Sequence, residues 1–368
     1  MKRRSFLTGA AATGVVAAAA STFPKPAISQ GLMEWRMVTA WPKGLPGIGT
    51  AAERLAQRIG VMSEGRLTVQ VFAGGELVPA LQVFDGVAGG TAEMGHDASY
   101  YHLSKSPATA FYTGVPFGMT ANELTAWIRF RGGQELWDEL YAPFNLKAFL
   151  AGNTGVQMGG WFRSEVTSLD DFKGLKYRMP GQGGQVLTRL GATVVLLPGG
   201  EVFPALQSGA IDATEWVGPY SDLTLGFYKV AKFYYWPGFH EPGSGLQFTV
   251  NKEKFDALPE DLKQIIETAA GAENDAVLAE FNGRSAQALQ TLVREHGVQL
   301  RQMPRDVLMA MGSESGKLMQ ETLDDGDEIT QKIARSFLKA RSEALVWTRI
   351  ADQGFTNARL LPFDYPRG

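Results

Sequence analysis

The sequence predicts an α/β protein of two related lobes facing one another across a cleft, followed by a long C-terminal helix. Three observations lead there. First, an octapeptide nearly repeats: Gly75-Glu76-Leu77-Val78-Pro79-Ala80-Leu81-Gln82 and Gly200-Glu201-Val202-Phe203-Pro204-Ala205-Leu206-Gln207. Each copy follows a strand-like run, Leu67-Thr68-Val69-Gln70-Val71-Phe72 or Thr193-Val194-Val195-Leu196-Leu197. A short helix, a glycine and another short strand follow each copy (91–95 and 211–215). A shared order of elements on both sides of a repeat reads as two βαβαβ halves. Second, such lobes hold small molecules beyond the carboxyl ends of their strands, and Arg178, Glu215 and Trp216 fall at strand ends in the second half. Third, Ile329, Ile333, Phe337, Leu345 and Trp347 recur near helical spacing over 327–352, a helix of about 39 Å at 1.5 Å per residue.

The elements follow in order. Residues 34–41 read as the first strand and 48–62 as a helix, with Ala51, Leu55 and Ile59 in one apolar stripe and Gly65 behind it. The second strand is 66–72 and the second helix 79–87, with proline at its start. The third strand runs into His96-Asp97-Ala98-Ser99-Tyr100-Tyr101, so Tyr100 and Tyr101 face the crevice from the first half. Residues 122–141 read as mostly helical. The glycine-rich passage 145–161 reads as a long strand, suited to a lobe-crossing hinge or a ligand wall. It lacks a Walker lysine, so it is not a phosphate loop. A turn and strand end at Arg178, a helix reaches Leu190, an aromatic irregular region spans 219–245, and 246–250 returns as a strand. Everything after Pro259 reads as helical.

Composition narrows the function. Hydrophobic content of 45% and charged content of 20% are ordinary for a globular chain, and a net charge of −3 without a basic run argues against nucleic acid. Arg3-Arg4-Ser5-Phe6-Leu7 before a weakly apolar Ala/Gly/Val tract reads as a Tat export signal over residues 1–30. That segment carries Lys2, Arg3, Arg4 and Lys25 and no acid, so its removal takes the charge from −3 to −7. Cysteine is absent, which excludes disulfides, thiolate metal sites and a cysteine nucleophile. The four histidines, His96, His102, His240 and His296, show no ligand spacing, so no transition-metal site is expected. A nucleophile elbow, a nicotinamide fingerprint and a zinc helix are all missing, which argues against an enzyme.

On these residues the chain resembles the extracytoplasmic solute-binding subunits of tripartite ATP-independent periplasmic (TRAP) transporters, the DctP family. Gly174-Leu175-Lys176-Tyr177-Arg178-Met179-Pro180, preceded by Asp170-Asp171-Phe172-Lys173, is similar to the family's strand bearing the carboxylate-binding arginine. Within the family, Gly152-Asn153-Thr154-Gly155-Val156-Gln157-Met158-Gly159-Gly160-Trp161-Phe162 and Asp212-Ala213-Thr214-Glu215-Trp216-Val217-Gly218-Pro219-Tyr220 look like segments of the 2-oxo acid (pyruvate-type) branch. The resemblance implies a two-lobed periplasmic binding protein fold with a hinge-bounded cleft. Lobe I would comprise 31–155 and 244–283, lobe II 156–243 and 284–325, then the long helix 326–352 and a tail, 353–368. It implies no enzyme, but a periplasmic receptor for a small carboxylate, most simply a 2-oxo acid, handing it to membrane permease subunits. Lactate, an aromatic acid or a sugar acid is the alternative ligand.

The resemblance also assigns residues. Arg178, Gln157, Tyr100 and Tyr101 would bind the solute, while Glu215, the Trp216 carbonyl, Gln157 and Glu241 would hold a cation. Those oxygen donors suit Na⁺, with Ca²⁺ as the alternative. Glu215 admits a second reading, as the permanent counter-ion of Arg178. His240 and Pro242 depart from the branch's residues at the pocket rim. In that branch the long helix exchanges between protomers, which implies a homodimer; the alternative is a helix folded back across its own chain.

Overall fold

The structure, a computed structural model, describes residues 31–366, so the expected export signal lies outside the described residues. In chain order the elements begin β1 (Met33–Thr39), α1 (Ile48–Met62), β2 (Leu67–Phe72), α2 (Val83–Ala88) and β3 (Met94–Asp97). Helices α3 (Ala121–Phe130) and α4 (Gly133–Tyr141) lead to β4 (Leu146–Asn153) and β5 (Gly160–Phe162). The second half runs β6 (Lys176–Arg178), α5 (Gly181–Arg189), β7 (Thr193–Val195), α6 (Gly199–Ser208), β8 (Ala213–Thr214), α7 (Pro219–Leu225) and β9 (Phe233–Trp236). Then come β10 (Gly245–Asn251), α8 (Lys252–Asp256), α9 (Glu260–Arg294), β11 (Gln299–Gln302), α10 (Arg305–Asp325), α11 (Glu328–Ile350) and α12 (Asp352–Arg359). Among the described residues no helix is long and apolar enough to cross a membrane.

Two sheets result, ordered β2-β1-β3-β10-β4 and β11-β9-β5-β8-β6-β7. The repeat is visible in both. Strand β1 pairs in parallel with β2 and β3, and β6 pairs in parallel with β7 and β8. Each βαβαβ unit is completed by an antiparallel strand from elsewhere in the chain, β10 against β3 and β5 against β8. The glycine-rich passage is therefore two strands, β4 in the first sheet and β5 in the second, joined by residues 154–159. The return crossing is 237–244, between β9 and β10.

The octapeptides share a place in the topology but not a conformation. The second copy lies in α6, whereas the first forms a turn and α2 starts only at Val83, later than the expected 79–87. Gly75 adopts φ +89° and its N–H donates to Val78 O at 3.0 Å, a left-handed turn that occupies the backbone a helix would need. The stretch after Pro259 is likewise not all helical. Residues 299–302 add a parallel strand to β9, which satisfies its open edge.

Apolar side chains place the helices. Leu55 and Ile59 of α1 join Met37, Phe149, Phe248 and Ile266 in one buried cluster on the first sheet. On the second sheet Phe162, Phe172, Tyr177 and Val186 pack with Val307 and Met311 of α10. A third cluster contains Tyr112, whose ring stacks on Trp127 and on Trp137, with centroids 5.3 and 4.3 Å apart.

Helix α11 is divided in its environment. Its first half is core: Ile333 and Phe337 are buried, and Phe337 meets the rings of Phe111 and Trp127 at 5.1 and 5.4 Å. Trp127 Nε1 also donates to Ser336 Oγ at 3.0 Å, and Arg341 Nε donates to the Phe117 carbonyl at 2.8 Å. Beyond Ala340 the stripe runs into solvent, and Trp347 is 69% exposed. Phe337→Ala is expected to cost about 3–5 kcal/mol of unfolding free energy, as for a large aromatic removed from a packed core. Urea unfolding checks this; a loss within about 0.5 kcal/mol, the range of an ordinary surface change, would show that α11 rests on the core without joining it.

Candidate functional site

The carboxyl ends of the parallel strands in both sheets converge on one cleft. Arg178 is the last residue of β6 and lies opposite Thr214 of β8 in register, so Glu215 emerges one residue beyond it. Both side chains are buried, at 1% and 0% exposure. Arg178 Nη1 is ion-paired with Glu215 Oε1 and also donates to the Glu215 carbonyl at 3.1 Å, while Nε donates to the Leu197 carbonyl at 3.1 Å. The guanidinium carbon stands 5.0 Å from the Trp216 ring, a cation–π contact. One nitrogen and one oxygen of the pair are left over: Arg178 Nη2 and Glu215 Oε2 are buried without hydrogen-bond partners.

The loop after β8 is fixed from behind. Asp222 accepts hydrogen bonds from Val217 N and Gly218 N (3.2 and 3.1 Å), from Trp161 Nε1 (2.9 Å) and from the Tyr234 hydroxyl (2.7 Å). Burial still pushes its carboxyl up to about 7 despite those four donors. Asp222 thus acts through the backbone, holding Glu215 and Trp216 at the cleft.

Gln157 and Glu241 arrive on the two crossing segments. Gln157 N donates to the Glu241 carbonyl at 3.1 Å, and its Nε2 donates to Glu241 Oε2 at 2.7 Å and to Thr154 Oγ1 at 3.0 Å. Gly238 N returns a bond to the Gln157 carbonyl at 2.9 Å. With its amide nitrogen spent, Gln157 presents Oε1, buried and without a partner. Burial and then the nearby Glu215 push the Glu241 carboxyl up to about 7, against pulls from His240, Ser244 and Tyr100.

Tyr100 and Tyr101 close the cleft from the short helical turn Ser99–His102 after β3. Their rings meet edge to face with centroids 4.9 Å apart. Tyr101 is pushed up to about 12 by burial, with Arg178 pulling the other way, and Tyr100 is raised by burial and by Glu241. Both are therefore neutral hydroxyls able to donate to an anion. Tyr100, Tyr101, Gln157 and Trp216 line one small cavity of about 10 Å³, near the least that holds a water molecule. Trp41 lines it too. Its indole N–H donates to His96 Nδ1 at 2.8 Å, leaving His96 Nε2 to donate to the Ala151 carbonyl at 3.1 Å.

All seven residues singled out from sequence thus surround one cleft. The arginine and Glu215 are in direct contact, the counter-ion arrangement, yet each keeps one group free. The donor set also fits a cation: Glu215 Oε2 and Gln157 Oε1 are buried acceptors without hydrogen-bond partners, beside a second carboxyl, Glu241. Unpaired buried oxygens cost free energy that a hard ion relieves.

Sequence reasoning missed two contributors. Asp222 carries no motif and acts only through the loop it ties. His240 was read as a rim residue, and linear spacing gave the histidines no ligand role. In three dimensions His240 Nε2 lies 3.4 Å from Glu215 Oε2 and 3.9 Å from Glu241 Oε1, with the ring 2% exposed. Burial disfavours charge on that ring, but Glu215 and then Glu241 outweigh it and raise its pKa above the ordinary histidine value. The adjacent Glu241 was the only signal of this position.

Comparison with known proteins agrees with this geometry. Residues 37–325 match the profile of the bacterial extracellular solute-binding proteins, family 7 (DctP). The chain is 42% identical over 361 residues to the monocarboxylate 2-oxoacid-binding periplasmic protein of Nostoc sp., covering 97% of this chain and 98% of that one. A TRAP periplasmic solute-binding protein from Pseudoalteromonas atlantica, solved with bound sodium and pyruvate, superposes with a TM-score of 0.86 at 39% identity, covering 89% of this chain and 99% of that one. A TRAP transporter solute-binding protein from Bordetella bronchiseptica, a mixed-occupancy dimer with copurified calcium and picolinate, gives a TM-score of 0.87 at 38% identity, covering 89% and 97%. The chain belongs to the DctP family of bacterial extracellular solute-binding proteins.

Proposed function

We propose that this protein is the periplasmic receptor of a TRAP transporter and binds a small 2-oxo acid such as pyruvate together with Na⁺, or alternatively Ca²⁺. The observation that carries the reading is the half-satisfied buried pair, in which Arg178 keeps Nη2 and Glu215 keeps Oε2 without hydrogen-bond partners, His240 Nε2 standing 3.4 Å from the latter. Arg178 takes the substrate carboxylate, aided by the Tyr100 and Tyr101 hydroxyls. Glu215, Gln157, the Trp216 carbonyl and Glu241 hold the cation, which supplies the positive charge that lets a carboxylate approach two acids. Pyruvate and picolinate, bound by the two structural relatives, have one chemical feature in common. Each carries a second donor atom one carbon from its carboxylate, so each can chelate a cation at Glu215 while facing Arg178.

Three further parts belong to the same proposal. Residues 31–155 with 244–283 form one lobe and 156–243 with 284–325 the other, closing on the solute about the crossing segments. The twin-arginine segment directs Tat export, after which the receptor delivers its solute to permease subunits in the membrane. The outer half of α11 and the tail meet a second copy of the chain, making a homodimer by helix exchange. In support, Trp347, Ile350, Phe355 and Leu360 are each more than 60% exposed although apolar, and the Bordetella relative is described as a dimer.

Truncating one partner of a buried hydrogen-bonded charge pair costs roughly 2–5 kcal/mol, so Arg178→Ala should weaken pyruvate binding by well over about tenfold. Arg178→Lys should fail as well, because an ammonium cannot present two parallel donors. Calorimetric titration checks both, and near-native affinity in either variant would remove Arg178 from the site. Glu215→Gln should lower both pyruvate affinity and its dependence on cation. Titrations of pyruvate, lactate and picolinate in chelated, sodium-free buffer, with each ion then restored, test this; affinity unchanged throughout would leave Glu215 as a counter-ion only. Light scattering at micromolar concentration should give the dimer mass for the native chain and the monomer mass for Trp347→Asp combined with Ile350→Asp. A native monomer would reject the exchange.

A further inference from the structure

Residues 113–120, which join the helical turn Pro107–Tyr112 to α3, run beside the return crossing from Phe239 to Gly245. The Thr113 carbonyl accepts from Gly245 N at 2.9 Å, and Phe117 N donates to the Phe239 carbonyl at 2.7 Å. The approach leaves no room for a side chain at two glycines. A Cβ on Gly114 would stand 2.9 Å from Glu241 Cγ, and one on Gly243 would stand 2.3 Å from Ala121 N. This loop is therefore a wall for the stretch of the crossing that bears His240 and Glu241.

One residue of the loop is strained. Phe117 has φ +54°, the left-handed region, which a bulky side chain rarely adopts. Such a conformation persists only where the surroundings over-determine it. Packing does so on one side: the Phe117 ring lies 5.8 Å from that of Phe239, which meets the His240 ring edge to face at 5.5 Å. On the other side the loop borders an open groove of about 290 Å³ between α10 and α11, lined by Phe117, Gly312, Met319 and Arg341. Across that groove the restraint is the hydrogen bond from Arg341 Nε of α11 to the Phe117 carbonyl, at 2.8 Å. Both backbone polar groups of one strained residue are thus tied, the N–H to the return crossing and the carbonyl to the C-terminal helix. Gly118 presses on the same helix, since a Cβ there would stand 3.2 Å from Phe337 Cζ.

Resting on the solute reading above, we infer that Arg341 and Phe117 are positioning residues for the solute site. Arg341 holds the strained loop against the return crossing, and the loop holds His240 and Glu241 toward the cleft. Neither residue lines the cavity of Tyr100, Tyr101, Gln157 and Trp216. Freed from Arg341, Phe117 relaxes out of the left-handed region, and the crossing loses its wall where Glu241 is placed. The dependence is reciprocal: whatever the Arg341 contact adds to solute affinity, bound solute adds to the stability of that contact. Its effect falls on release more than on capture, as for most contacts that secure a formed complex.

The test uses the mature chain with pyruvate in buffer containing Na⁺. Arg341→Met keeps the apolar stem and removes the donor. Affinity is measured by calorimetry and release by stopped-flow tryptophan fluorescence, at a concentration where light scattering gives both proteins the same mass. Arg341→Met is expected to speed pyruvate release by about threefold to thirtyfold, the range for changes along a physical coupling network, with capture altered less than about twofold. Amide hydrogen exchange of the native chain supplies a second readout, independent of any variant. Added pyruvate should slow exchange over 113–119 and also over 338–345 of α11, an effect that a merely structural Arg341 would not produce. Native release rates in Arg341→Met, or exchange over 338–345 that ignores pyruvate, overturn the proposal and leave the solute reading intact. A native chain that binds no pyruvate overturns the solute reading and the proposal with it.

Discussion

Two opposite charges held out of water constrain everything around them. Removing Arg178 and Glu215 from solvent costs several kcal/mol per ion, recovered only if the pair is well placed and its remaining groups find partners. The βαβαβ unit provides the placement. Parallel pairing of β6 with β8 sets Arg178 beside Thr214, and the next residue is the glutamate. Leu197, Trp216 and the Glu215 carbonyl satisfy part of the guanidinium. The remainder is left unmet on both partners, which is poor economy for a purely structural pair and good chemistry for a receptor. Asp222 belongs to the same constraint, since a loop bearing a buried acid must be fixed before that acid can be aimed.

Much of the architecture was legible because two periodicities coincide in the sequence. Strand-like runs ending at Phe72 and Leu197 precede nearly identical peptides, and both halves fold with the same 2-1-3 strand order. What the repeat could not carry was local conformation: the first octapeptide turns at Gly75, the second is helical, and composition alone does not separate them. The strand at 299–302 escaped notice because its register comes from β9, more than sixty residues upstream. The site divides in the same way. Arg178, Glu215 and Trp216 announce themselves at strand ends, and Gln157 and Glu241 through their segments. His240 is silent in one dimension, because its partner Glu215 follows β8, twenty-five residues upstream, and the distance between them is set by the return crossing that carries His240.

The C-terminal helix shows where a helical pattern stops being informative. The stripe Ile329, Ile333, Phe337, Leu345 and Trp347 is continuous in sequence, yet its first part is core and its last part solvent-facing in a single chain. Periodicity identifies the face that seeks burial; it does not say which molecule supplies the cover.

The two crossing segments carry Gln157 on one side and His240 with Glu241 on the other, hydrogen-bonded to each other as well as to the lobes they join. A ligand or ion bound there fastens the crossings together, so the contacts that confer affinity are the same ones that resist opening. Residence time is then governed by the opening rate of the crossings, not by the strength of any single contact. A receptor of this construction releases its cargo slowly on its own, and rapid unloading falls to whatever surface can pull the two crossings apart.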